Sequence, residues 1–213
     1  MSDNVASAVN QQATRHIFGK YVGESSETIC QAPLTRSEII AYVHGAMHDG
    51  SLNKRNRVRI VQKHKTWLEM IWALLASAGI HSWIYREGRF RNLYALETVS
   101  KELSFEFNPL NLQTKPERTM YLRGFFDAEG GIPRNGKRFY IQLAQKDYAK
   151  MHAVKKVLND LGMKSGKIHN PSKRIDPDYW RIFIATKHHS LFASTIGSWH
   201  PVKSKIFSER MKI

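Results

Sequence analysis

Apolar side chains along this chain follow two periods. Trp67, Met70, Ile71, Leu74, Leu75 and Ala78 recur at three-to-four spacing and predict a helix that Gly79 ends. Just before it, Arg55 to Lys63 alternates Arg57 and Arg59 with Val58 and Ile60, which predicts a strand with one basic and one apolar face. Upstream, Thr35 or Ser37 can cap a helix running through Ile39, Ile40, Tyr42 and Val43 to Met47; it stops at Asp49-Gly50, where glycine suits a left-handed end. Downstream, Trp83 to Tyr85 and Phe90 to Leu96 flank Arg86-Glu87-Gly88-Arg89 and predict a hairpin with a glycine turn. Val99 to Phe105 reads as a short helix, and Asn108 to Pro116 as a linker.

After the linker the same order restarts. Glu117 to Ala128 is predicted helical, Arg138 to Ala144 a strand, and Tyr148 to Leu161 a helix. Ile168 and Tyr179 to Ile184 predict a hairpin with a longer basic loop, and His188 to Ile196 a last helix. The match is positional. The offset of 83 residues that takes Gln62-Lys63 to Gln145-Lys146 also pairs Val58 with Ile141, Ile60 with Leu143, Ile71 with Val154 and Gly79 with Gly162. Asp49-Gly50 and Glu129-Gly130, 80 residues apart, put one carboxylate at an equivalent place in each copy. The expected fold class is α+β, with two tandem αββαββα-type repeats whose antiparallel sheets bury one face under helices and leave the other basic and aromatic. The expected domains are an extension over 1–34, a first half over 35–106, a linker over 107–117 and a second half over 118–213. In the extension only Ile17, Phe18, Tyr21 and Val22 form an apolar group.

Charge narrows the partner. The 213 residues hold 33 Lys and Arg against 18 Asp and Glu, giving a formal charge of +15, spread along most of the chain. That excess favours a polyanion and leaves DNA, RNA and anionic membrane open. The longest apolar stretch, Met70 to Ile80, is too short for a bilayer, so no membrane partner is expected. Met1 to Gln12 is polar and small, so secretion is not expected and an intracellular location is. Cys30 is the only cysteine, which excludes an intramolecular disulfide and a thiolate zinc cluster.

The segment Tyr121-Leu122-Arg123-Gly124-Phe125-Phe126-Asp127-Ala128-Glu129-Gly130-Gly131 closely resembles the LAGLIDADG motif of homing endonucleases, matching it at Gly124, Asp127, Ala128, Glu129 and Gly130. The first copy, Tyr42-Val43-His44-Gly45-Ala46-Met47-His48-Asp49-Gly50, departs from the motif. His44 stands where the family has glycine, His48 where it has a small residue, and Gly45 is displaced by one. The resemblance covers roughly residues 36 to 200 and includes the Gln-Lys pairs. It implies the single-chain, pseudo-twofold form, with motif helices packed at the dyad and the two sheets forming a DNA-binding saddle.

The activity it implies is site-specific, metal-dependent cleavage of double-stranded DNA by a monomer, one phosphodiester per strand. Asp49, Gly50, Glu129 and Gly130 are then the metal site, Mg²⁺ the cofactor, Mn²⁺ its substitute, and Ca²⁺ a cation that binds without supporting cleavage. Gln62 and Gln145 line the centre on this model, with Lys63 and Lys146 adjacent. Physical chemistry agrees in outline: crowded carboxylates are costly without a cation, and hard oxygen ligands suit Mg²⁺ or Mn²⁺ better than zinc. Taken singly, each acid-glycine pair is also an ordinary helix stop, and each lysine an ordinary solvated residue.

A two-stranded ribbon fits the major groove, where arginine bonds guanine and glutamine bonds adenine. Outward positions are Arg55, Arg57 and Arg59 in the first copy and Arg138, Tyr140 and Gln142 in the second. Trp83, Tyr85, Arg89 and Arg91, with Lys167, His169, Lys173, Arg174, Tyr179 and Arg181, extend that surface. His44 and His48 have helical spacing but lack the glutamate of a metalloprotease pair, so they read as interface histidines rather than zinc ligands. Two alternatives keep the fold: an intron maturase with RNA as partner, and a DNA-binding protein without cleavage.

Overall fold

The computed structural model describes residues 33–88, 90–134 and 138–211. The expectations for the N-terminal extension, Cys30 included, and for Arg89 lie outside the described residues. The chain forms two compact units. One runs to Ile40 and resumes over Gly50–Leu103; the other joins Ala41–Asp49 to the segment from Ser104 onward. Among the described residues no helix is long and apolar enough to cross a membrane.

Helix α1 (Arg36–Ala46) starts at a reciprocal cap: the Thr35 N–H donates to the Glu38 carboxylate and the Glu38 N–H to the Thr35 hydroxyl. A 3-10 turn over Met47–Asp49 follows it and leads directly into β1 (Gly50–Leu52). In the first unit β1, β2 (Val58–Gln62), β4 (Leu93–Thr98) and β3 (Ser82–Glu87) form an antiparallel sheet in that order. Helix α2 (Lys65–Ser77) covers one face, burying Trp67, Leu68, Ile71, Leu74 and Leu75 with Ile60 and Leu96. Gly79 and Gly88, at φ 72° and 70°, make the turns after α2 and β3.

In the second unit a capping box between Thr114 and Glu117 opens α3 (Lys115–Glu129). β5 (Gly130–Gly131), β6 (Gln142–Gln145) and β7 (Trp180–Phe183) form a three-stranded antiparallel sheet. Helix α4 (Tyr148–Asp160), capped by Asp147, packs on it through Met151, Val154, Val157 and Leu158. Helices α5 (His189–Thr195) and α6 (Pro201–Met211) close the core around Phe126, which meets Phe192 edge-on at 5.2 Å and stacks on Phe207 at 5.5 Å.

Several elements depart from the periodic reading. Val99 to Phe105 is a run of turns, and the linker contains a 3-10 turn over Pro109–Asn111 with Pro109 and Leu112 buried. Arg138 to Ile141 is not part of β6, and the partner of β7 near Ile168 is reduced to two bridges, Ser165 to Ile184 and His169 to Arg181. Arg55 sits in the turn between β1 and β2. Gly50 and Gly130 are not left-handed stops. Gly130 has φ −78° and ψ 146° and begins a strand; a Cβ there would fall 2.0 Å from the Phe126 ring. Helix α6 has no counterpart in the periodic reading.

Candidate active site

The sequence makes α3 a helix that must tolerate a close neighbour. A Cβ on Gly124 would lie 2.0 Å from the Tyr42 carbonyl oxygen, and one on Gly45 would lie 2.1 Å from the Tyr121 carbonyl oxygen. The two glycines thus let the backbones of α3 and the end of α1 touch reciprocally. Gly45 is the small residue of this contact although it stands one position off the motif. The 3-10 turn explains why. Its larger rise gives Gly45 to Asp49 about 7.5 Å along the axis, about the same as the five α-helical steps from Gly124 to Glu129. Both acids therefore reach the ends of their helices at matching heights.

Burial first, and the Asp49 charge second, raise the pKa of Glu129 to about 7, while Lys203 acts against both. Each acid also stands at a helix C-terminus, where the dipole disfavours negative charge. Such a place calls for a cation. Lys203 on α6 supplies one: its Nζ donates to the carbonyl oxygens of Phe126 at 2.6 Å and Asp127 at 2.8 Å. Burial lowers Lys203 to about 8, with Asp127, Glu129 and Asp49 resisting that shift. Lys203 stands in no motif or periodic stripe of the sequence. Its helix is marked only by Pro201 at the start and by Ile206 and Phe207, which face the core.

Asp127 fixes the segment that delivers Lys203. Fully buried on α3, it accepts from the Tyr42 hydroxyl at 2.7 Å, the Trp199 N–H at 3.1 Å and the Ser198 hydroxyl. Burial raises its pKa, against those hydrogen bonds and the Lys203 charge. Arg123 completes the anchorage, donating to the Thr195 and Ile196 carbonyls and lying over Trp199 at 4.5 Å.

The histidines of the first motif copy have separate partners. His44 accepts from the Ser104 N–H at 3.3 Å and stacks on Phe107 at 3.9 Å. His48 is 2.8 Å from both the Tyr121 hydroxyl and the Gln145 amide nitrogen. Because Gln145 Nε2 only donates, Nδ1 of His48 accepts and its Nε2–H donates to Tyr121. Burial, assisted by the Lys150 charge, lowers His48 to about 4 and keeps it neutral. Among the described residues no group of three or more His, Cys, Asp or Glu forms a metal cluster. Two carboxylates alone fit Mg²⁺, which keeps several waters and takes phosphate oxygens as further ligands.

Of the remaining site residues, Gln145 ends β6 and bonds to His48, and its Oε1 accepts from the Lys146 N–H at 2.6 Å. Lys146 is exposed, and its Nζ lies 3.8 Å from Asp176. Gln62 ends β2 in the first unit, followed by exposed Lys63. On the outer faces, Arg59, Trp83 and Tyr85 share the first sheet, Arg57 sits just before β2 and Arg91 just before β4, and Gln142 and Arg181 lie in the second sheet with His169 bridged to Arg181. Arg138 and Tyr140 precede β6; Lys167 lies between the two bridges; Lys173, Arg174 and Tyr179 belong to the loop before β7. The first of these faces is not purely basic, because Glu87 and Glu97 stand among its arginines.

The chain matches the family model described as LAGLIDADG-like domain over residues 47–108 and 116–197, together about two thirds of its length. It is 28% identical over 193 residues to homing endonuclease I-ApeI of Aeropyrum pernix, covering 79% of this chain and 85% of that protein. Its fold resembles I-DmoI crystallised with DNA and Mn, with TM-score 0.59, 23% identity, and 76% and 98% of the two chains covered. The N-terminal LAGLIDADG domain of DUF199/WhiA is similar at TM-score 0.61 and 15% identity, over 86% and 89% of the two chains.

Proposed function

The chain belongs to the LAGLIDADG-like domain family, and from that premise we propose that it is a site-specific DNA endonuclease, dependent on a divalent metal, that cuts one phosphodiester in each strand of a long duplex. The observation that carries this reading is the placement of Asp49 and Glu129 at two packed helix ends, where burial first and the Asp49 charge second hold Glu129 near 7. Its relative I-ApeI carries the name homing endonuclease, and structures of I-DmoI are described as complexes with DNA and Mn or Ca.

Asp49 and Glu129 are the residues that would hold the cation. When bound, Mg²⁺ or Mn²⁺ in its place supplies a coordinated water of lowered pKa and offsets charge on the leaving oxygen. The chain's own residues do the rest. Lys203, held by the terminal carbonyls of α3, keeps a positive charge facing both carboxylates and opposes the negative charge that builds on the phosphate. Gln145, fixed by His48, orders water beside the centre. The outward faces of the two sheets bind the duplex, phosphates setting register and base edges setting sequence. The protein acts as a monomer, one acid serving each strand.

The test is to incubate the full chain with a randomised duplex library in Mg²⁺ or EDTA and sequence the ends produced. Discrete double-strand ends at one recurring sequence, in Mg²⁺ alone, support the proposal. Intact DNA at every metal concentration would overturn it.

A further inference from the structure

The outward face of the first sheet contains a carboxylate where a surface built only to attract phosphate would have none. Glu97 on β4 is 5% exposed, and the strand register puts Arg59, Glu97 and Trp83 in one row across β2, β4 and β3. Its Oε1 accepts from the Tyr85 hydroxyl at 2.6 Å and from Asn53 Nδ2 at 3.1 Å. Arg57 lies 3.6 Å from its other oxygen, and Arg59 Nε 3.6 Å from Oε1. Burial alone would raise the Glu97 pKa; the hydrogen bonds and the Arg57 charge outweigh it and hold the group below the ordinary carboxylate range. It is therefore ionised at neutral pH.

A negative charge here weakens attraction to a polyanion, so its effect must be sought in geometry. Arg59 is clamped on three sides: Nε donates to the Tyr85 hydroxyl at 3.3 Å, one terminal nitrogen lies 2.8 Å from Glu87, and Glu97 sits beneath. Arg57 is pinned between Glu97 and the Trp83 ring, 5.1 Å from its centroid. A cleft of about 510 Å³ opens over Arg57, Arg59, Tyr85 and Glu97. Long side chains that contact phosphate work without being fixed, because phosphate oxygens accept from many directions. Bidentate bonding to the O6 and N7 of guanine needs a planar fork in one orientation, and fixing the fork beforehand removes the ordering cost on binding.

We infer that Glu97 is a specificity-determining residue of the first sheet: by locking Arg57 and Arg59 it turns them from phosphate contacts into readers of guanine in the major groove. This rests on the DNA-cleaving function proposed above. Glu97 itself bonds no base; it acts through the arginines, as a positioning residue.

The test compares duplexes selected from a randomised library, with Ca²⁺ present, by the wild type, Glu97→Gln and Arg59→Lys. The wild type is expected to specify guanine at adjacent positions of one half of its target. Glu97→Gln should lose that preference roughly tenfold at those positions and retain it elsewhere. Arg59→Lys, which keeps the charge but not the fork, should lose preference at one of the same positions. It decides the matter alone if Glu97→Gln does not fold. Undiminished guanine preference in the variants, or weakening spread evenly over the whole target, would overturn the inference. A wild type that selects no sequence would instead remove the nuclease reading, and this inference with it.

Discussion

Lowering the pH from 8 to 6 should weaken metal binding at the cleavage centre in a calculable way. With Glu129 at about 7, roughly nine tenths of it is ionised at pH 8 and roughly a tenth at pH 6. A cation must displace the proton it finds there, so the Mg²⁺ concentration for half-maximal cleavage should rise about tenfold over that interval. An ordinary glutamate near 4.5 would give almost no change. The sign carries over to stability. A carboxylate whose folded pKa is raised contributes stability below its unfolded value and loses it as pH climbs from about 4.5 through about 7. The loss is at most about 3 kcal/mol, and less once solvent screening of a partly exposed group is counted. Lys203, lowered to about 8, adds stability only as pH rises from about 8 towards 10.5. Mg²⁺ should therefore stabilise the protein more at pH 8 than at pH 6 in a thermal melt. Mg²⁺ titrations of cleavage at pH 6, 7 and 8 measure the effect directly. A flat response would mean that burial and the Asp49 charge do not raise Glu129 towards neutrality.

Three further outcomes follow from the same geometry. Gly124→Ala, whose Cβ meets the Tyr42 carbonyl at 2.0 Å, should cost about 2–3 kcal/mol and lower the melting temperature by roughly 5–10 °C; an unchanged melt would contradict the helix contact. His48→Ala removes the hydrogen bonds to Tyr121 and Gln145 and opens a cavity, for a loss of about 2–4 kcal/mol in denaturant unfolding; His48→Gln, which can still bond, should recover part of it. DNA affinity should fall with salt at a log–log slope of about −0.9 for each phosphate neutralised, and a slope near zero would exclude the sheets as backbone-binding surfaces.

How far the chain could be read in advance depended on the kind of signal. The α2 stripe from Trp67 to Ala78, the arginine alternation on β2 and the repeat at offset 83 are periodic over many residues, and periodicity survives folding. The acid at each motif end was legible for the same reason. What escaped is local or tertiary. Gly50 and Gly130 resemble helix stops by residue type, yet they open strands, and at Gly130 the Phe126 ring leaves no room for a Cβ. His44 and Gly45 look misaligned until the 3-10 turn restores the rise. Lys203 lies more than seventy residues beyond Glu129 in a helix with a weak apolar stripe, so nothing in its own neighbourhood marks it. Glu97, a lone acid in a strand, shows its partners only when three strands are aligned.

The most direct test of the catalytic centre is single-turnover cleavage of the selected duplex by Asp49→Asn and Glu129→Gln beside the wild type, with duplex binding measured in the same samples. Both variants should bind within a few-fold of the wild type and lose cleavage by at least about a thousandfold, the scale expected when a group acting on the reacting phosphate is removed. Cleavage of both strands at the wild-type rate by either variant would contradict the assignment of these two carboxylates as the metal-holding pair.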